Sequence, residues 1–152
     1  MQTTGDSLLV RAGHAYGAVA RLCDRLQPIL ALAIRLYVAR VFLMSGLTKI
    51  QSWTSTLALF ENEYHVPLLS PPVAAALGTA AELGLPLLLI AGLGTRFAAL
   101  ALFAFNIVAV ISYPDLSDAG LKDHMLWGAL LLVLAVYGPG RIALDRWLDR
   151  RG

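Results

Sequence analysis

The chain reads as an all-α protein: a four-helix transmembrane bundle with an N-terminal interfacial amphipathic helix and a short C-terminal amphipathic segment. Three observations carry that reading. Apolar residues make up 58% of the 152 residues and charged residues only 14%, against roughly 25% charged in a soluble domain. Mean hydropathy is +0.68. Four apolar runs, at about 29–50, 71–92, 96–113 and 122–138, each approach the roughly 20 residues that a membrane-crossing helix needs.

Residues 1–28 form the interfacial piece. Leu8, Ala12, Ala15, Val19, Leu22 and Leu26 recur at helical spacing, while Arg11, His14, Arg21 and Arg25 fall on another face, the pattern of a helix lying among lipid headgroups. Pro28 is expected to break the chain before the first span. The first residues lack the basic stretch and apolar core of a secretory leader, so the first span should act as an uncleaved anchor. Residues 29–140 hold the four spans. In the longest connection, 51–70, Ser52 is placed to cap a short helix from Trp53 to Phe60, and Pro67 and Pro71-Pro72 turn the chain into the second span. Residues 141–152 are a basic tail, with Ile142, Leu144, Trp147 and Leu148 set among alternating charges. Cys23 is the only cysteine, which excludes an internal disulfide and any CxxC site.

The polar residues inside the spans are the candidates for function, because a charge at mid-bilayer costs about 2.5–3.5 kcal/mol on insertion scales and normally faces a partner or a cavity. At about 1.5 Å rise per residue, Arg40 lies roughly 16 Å into the first span and Glu82 roughly 16 Å into the second. Asn106 falls roughly 15 Å into the third. The expectation is an Arg40–Glu82 ion pair at the midplane, with the Asn106 amide nearby. Arg35 and Lys49 lie fourteen residues apart, nearly on one helix face with Phe42 and Gly46, and are expected to snorkel to opposite surfaces. Gly46 should admit a close helix neighbour, as should the small residues Ala74–Ala76, Gly78 and Ala80–Ala81. Pro86, one turn after Glu82, frees the Glu82 carbonyl.

Arginines at positions 11, 21, 25, 96, 141, 146, 150 and 151 fall on one side of the membrane, against Lys49 and Lys122 on the other. That bias sets both termini in the cytoplasm. The outer side then holds Glu61, Glu63, His65, Asp115, Asp118, Asp123 and His124. Lys49, His65, Asp123 and His124 are the ligand candidates there. His65 and His124 are weak metal candidates, since no HxH, HxxxH or CxxC spacing supports them. His124 can instead relay protons or bond a quinone carbonyl. No histidine sits at mid-span for a haem, and a net charge of +2 is too small to point to nucleic acid.

The run Arg35-Leu36-Tyr37-Val38-Ala39-Arg40-Val41-Phe42-Leu43-Met44-Ser45-Gly46-Leu47-Thr48-Lys49 resembles the R-x6-F-x2-SG-x2-K opening of the DoxX family. Ala81-Glu82-Leu83-Gly84, followed by Gly92-Leu93-Gly94-Thr95-Arg96, is similar to that family's second-span signature. The resemblance covers about 35–140 and marks Arg35, Phe42, Gly46, Lys49, Glu82 and Arg96 as motif positions. Arg40 departs from it, standing where many members carry a small or apolar residue. The resemblance implies a four-helix, multi-pass inner-membrane protein in a family named for a small subunit of a terminal quinol oxidase. Other members are linked to membrane oxidoreductase complexes, oxidative stress and quinone resistance.

The functional expectation is therefore a subunit or partner of a quinone-linked membrane oxidoreductase system. It would have no intrinsic cofactor, a quinone as ligand, lipids and a membrane protein as partners, and scope for homo-oligomers. The alternative is a non-catalytic membrane partner serving assembly, chaperoning or export in metal or oxidative stress.

Overall fold

A computed structural model describes residues 4–148, with side-chain surroundings given from Gly13 to Trp147. The side chain of Arg11, and Arg150 and Arg151 altogether, lie outside the described residues. The elements are α1 (Thr4–Gln51), α2 (Trp53–Asn62), α3 (Pro71–Ala91), α4 (Thr95–Ser112), α5 (Asp118–Tyr137) and α6 (Leu144–Leu148). Among the described residues there is no strand, and α1, α3, α4 and α5 are long and apolar enough to cross a membrane. Their helix-to-helix contacts run α1–α3, α3–α4, α4–α5 and α5–α1, closing a four-membered ring.

Local chemistry explains most of the boundaries. Pro71 opens α3 behind Ser70, a position whose N–H would be unpaired in any case. The helix stops at Gly92, in the left-handed region at φ 70°, where a side chain would be strained. The Ser117 side chain accepts from Gly120 N and starts α5. Ser52 stands at the start of α2, but its hydroxyl pairs with that of Ser55 at 2.7 Å instead of capping the helix.

Pro28 does not break the chain. The helix runs through it, giving α1 48 residues and a length of about 72 Å. A proline removes one backbone hydrogen bond and crowds one carbonyl, and the strong helix formers on either side carry the helix across that local defect. The site is also packed: a Cβ on Gly140 would come within 3.6 Å of the Pro28 Cα and 2.9 Å of the Ala31 Cβ. The amphipathic segment is thus continuous with the first span. Its apolar residues Tyr16, Val19 and Leu22 are exposed, with no other element over them among the described residues.

The interior is built around Val38, Phe42, Leu89, Leu102, Leu131 and Leu134, with Phe42 edge-on to Phe105 and Trp127. A smaller cluster sets Phe60 of α2 on Ala74 and Ala75 of α3. The bundle therefore has two unlike ends. One, the α2 end, is covered by α2 and the 113–117 connection. The other, the tail end, carries the α3–α4 turn and α6.

Arg35 organises the tail end. It is 1% exposed, so it does not snorkel. Its Nε donates to Leu89 O at 2.8 Å and its Nη2 to Ile90 O at 3.0 Å. Its Nη1 donates to Pro139 O at 3.0 Å and to Ile142 O at 2.6 Å. The cation thus sits on the carbonyl end of α3, where the helix dipole is negative, and bonds the tail to it. Gly92 makes room, since a Cβ there would lie 2.6 Å from Nη2. Asp145 completes the joint by accepting from Gly94 N at 2.7 Å and Thr95 N at 2.9 Å, which caps α4 from a distant part of the chain.

Candidate functional site

At the α2 end, Lys49 and Glu82 meet inside the bundle. Lys49 Nζ donates to Glu82 Oε1 at 2.8 Å and Oε2 at 2.7 Å. The two side chains are 14% and 7% exposed. Ser45 lies one turn before Lys49 on the same face. Its hydroxyl donates to Glu82 Oε1 at 3.1 Å and accepts from Lys49 Nζ at 2.9 Å. Gly46 lets the two helices approach: a Cβ there would lie 2.9 Å from Leu83 Cδ2 and 3.0 Å from Glu82 Cβ. The Ser-Gly-x-x-Lys run is therefore one device, with a hydroxyl, a gap and an ammonium aimed at a single carboxylate.

This corrects the expected Arg40–Glu82 pair. Arg40 is exposed and makes no ion pair among the described residues. Depth alone misled, because Arg40 is five residues from Arg35, about 140° round the helix, and points away from the face shared by Arg35, Phe42, Gly46 and Lys49. Lys49, expected to snorkel outward, turns inward to the carboxylate instead.

Asn106 is buried as expected, but its partner is His124, not the ion pair. Asn106 Nδ2 donates to His124 O at 2.9 Å, and Oδ1 lies 2.7 Å from His124 Nδ1. The first bond fixes which end of the amide is which. An amide oxygen only accepts, so Nδ1 carries the proton and Nε2 is left as the acceptor of the neutral ring. Trp127 stacks edgewise on that ring at 4.8 Å.

A cavity of about 370 Å³ connects these groups. Its polar lining includes Ser45, Lys49, Glu82, Ser112, Tyr113 and His124, and its apolar lining includes Phe60, Tyr64 and Phe105. Ser112 is buried, and its hydroxyl has no hydrogen-bond partner among the described residues. The Tyr64 ring packs edge-on between Phe60 at 5.0 Å and Tyr113 at 5.2 Å. Burial first, then the neighbouring Tyr113, Glu63 and Glu82, pushes the Tyr64 phenol above its usual range, so it remains a donor at neutral pH. Leu77 and Val108, both lining residues, are exposed on the flanks of α3 and α4. In a bilayer the cavity therefore opens sideways among acyl chains.

Of the outer-side candidates, Lys49 and His124 line this cavity, while His65 and Asp123 are exposed and do not line it. His65 contributes its backbone, donating to Ser112 O at 2.7 Å. Among the described residues no group of three or more His, Cys, Asp or Glu could hold a metal ion, so His65 and His124 are not brought into a ligand set. Phe42 is core and Arg35 is structural. Arg96 is exposed at the tail end, beside Gly138. The sequence reading missed Ser45 and Ser112, although the four-residue step from Ser45 to Lys49 already sets both on one face.

The family model DoxX matches residues 30–114. An Escherichia coli protein described as inner membrane protein YphA is 31% identical over 131 residues, covering 79% of this chain and 91% of the relative. An uncharacterized protein of Haemophilus influenzae is 32% identical over 128 residues, covering 78% of this chain and 83% of its own length. No solved structure matches the chain. With its four membrane-spanning helices, an Arg35 clamp and a Ser-Gly-x-x-Lys run set against a buried glutamate, this chain belongs to the DoxX family of multi-pass membrane proteins.

Proposed function

We propose that the protein is the membrane subunit, or a membrane partner, of a quinone-linked oxidoreductase system, and that the α2-end cavity seats the quinone head. The observation that carries this reading is a cavity with polar groups at its inner wall and a mouth framed by exposed Leu77 and Val108. Such a shape suits a ligand that arrives through lipid and carries oxygen atoms on an otherwise apolar body. Ligand cavities usually measure about 300–1,000 Å³, so about 370 Å³ matches a head group with its tail left in the membrane.

The donor set fits such a head. The Tyr64 phenol lines the cavity and stays protonated at neutral pH, so it is a donor for a carbonyl oxygen. The Lys49 ammonium, its three N–H groups held by Ser45 and Glu82, adds positive charge beside the site. His124 Nε2 is an acceptor for a hydroxyl proton, so the ring suits the reduced form of the ligand. Ser112 adds a hydroxyl that lacks a partner among the described residues. When bound, a quinone supplies reversible two-electron chemistry; the chain's own groups orient it and exchange its protons.

Quinone analysis of protein purified in mild detergent tests the reading. Wild-type protein is expected to carry quinone or to bind a short-chain analogue above the level of empty micelles. Leu77→Trp, which fills the mouth without touching the ion pair, is expected to abolish that binding at unchanged thermal stability. Folded protein that binds no quinone overturns the reading, and a co-purifying protein in its place supports the non-catalytic partner role.

The same proposal sets both termini on the cytoplasmic side of the inner membrane, supported by the arginine excess at the tail end. Cys23, exposed and the only cysteine, reports on it. A membrane-impermeant maleimide should label Cys23 in inverted vesicles and not in intact spheroplasts. The reverse pattern would invert the topology.

A further inference from the structure

The tail end holds a second hollow, of about 800 Å³, between α1 near Pro28, the start of α4, the end of α5 and the segment leading into α6. We propose that it seats an anionic phospholipid of the adjoining leaflet. Arg96, Arg141 and Arg146 hold the phosphate, and an acyl chain lies along Leu30 and Phe97.

Three features carry this proposal. The first is charge: three arginines line the hollow against one carboxylate, that of Asp145. Both oxygens of that carboxylate are already committed to the Gly94 and Thr95 amides. The three guanidinium groups are exposed, and none is in an ion pair among the described residues. The second is the wall below them. Leu30 is 61% exposed and Phe97 67%, and both belong to helices long and apolar enough to span, so lipid is their natural neighbour. A free phosphate would use the arginines and leave those walls bare, whereas a phospholipid matches both. The third is depth. Tyr137 lines the hollow and Trp147 lies on the neighbouring α6, both exposed, which puts the arginines at headgroup level where such aromatics collect. Basic pockets between membrane helices recognise anionic head groups in this way. The proposal does not depend on the quinone reading, since the two sites lie at opposite ends of the bundle.

Native mass spectrometry of delipidated full-length protein, titrated with phosphatidylglycerol or phosphatidylcholine, tests it. Wild-type protein is expected to retain phosphatidylglycerol in preference to phosphatidylcholine. An Arg96→Gln, Arg141→Gln variant should lose about fivefold in affinity per arginine removed, while an Arg21→Gln, Arg25→Gln control keeps the preference. The altered side chains are exposed, and a melting curve in detergent checks that each variant is folded. Equal retention of the two lipids, or a preference that survives the double substitution, overturns the proposal. Competition by inorganic phosphate as effective as that by the lipid also overturns it, by reducing the site to a free-anion site.

Discussion

Glu82 shows how one azimuthal angle decides a partner. Its carboxylate is 7% exposed and satisfied by Lys49 and Ser45, so removing it leaves a buried ammonium unpaired. Glu82→Ala should cost about 3–5 kcal/mol, read as a fall in thermal stability in detergent. A Lys49→Met, Glu82→Leu double variant should recover most of that loss, because replacing a whole buried pair by apolar groups is often neutral. Arg40→Leu, by contrast, should leave stability unchanged or raise it, since the arginine is exposed and holds no carboxylate. Destabilisation by Arg40→Leu as large as that by Glu82→Ala would contradict the pairing. Glu82 and Asn106 were legible as polar residues needing partners within apolar spans, whereas Lys49 was read as reaching for the surface. The pairing was not legible, because depth arithmetic carries no information about which way a side chain faces. The stripe of Arg35, Phe42, Gly46 and Lys49 was visible in the sequence and held the answer.

At the scale of elements, the spans, the start of α3 at Pro71 and its stop at Gly92 follow from apolar run length and from proline and glycine chemistry. Pro28 was misread because a proline penalises a single turn, and the flanking helix formers together with the contact to Gly140 outweigh that local cost. Gly46 was rightly read as a point of close approach, and its consequence can be measured. Gly46→Val puts methyl groups where Leu83 and Glu82 already stand within 3.0 Å, so α1 and α3 must separate. Overpacking of this kind costs about 1–3 kcal/mol. The variant should lose stability and, with the Lys49–Glu82 pair pulled apart, bind quinone analogue more weakly. A Gly46→Val protein as stable as wild type would show that the helices pack less tightly than described.

For the whole molecule, the division into two unlike ends matters most. The α2 end encloses a cavity around an ion pair, and the tail end is locked by backbone carbonyls gathered on one guanidinium. The sequence disclosed the bundle but not the lock, since carbonyl acceptors belong to every residue and leave no mark on composition. Arg35→Lys keeps the charge yet loses the planar fork that reaches four carbonyls on two segments. It should free the tail, seen as faster proteolysis after Tyr137, while the Lys49–Glu82 end stays intact. Unchanged tail protection in Arg35→Lys would mean that charge alone suffices.

Two of the four oxygens that satisfy Arg35 belong to Pro139 and Ile142, far downstream of the helix that carries it. During synthesis the first hairpin therefore enters the bilayer with a cation whose acceptor set is only half made. Completion waits for the ribosome to deliver the segment after α5. A polypeptide truncated before that point would keep all four hydrophobic segments while only the Leu89 and Ile90 carbonyls met the guanidinium. Residues after α5, outside every span, therefore decide whether the first span's cation is fully satisfied.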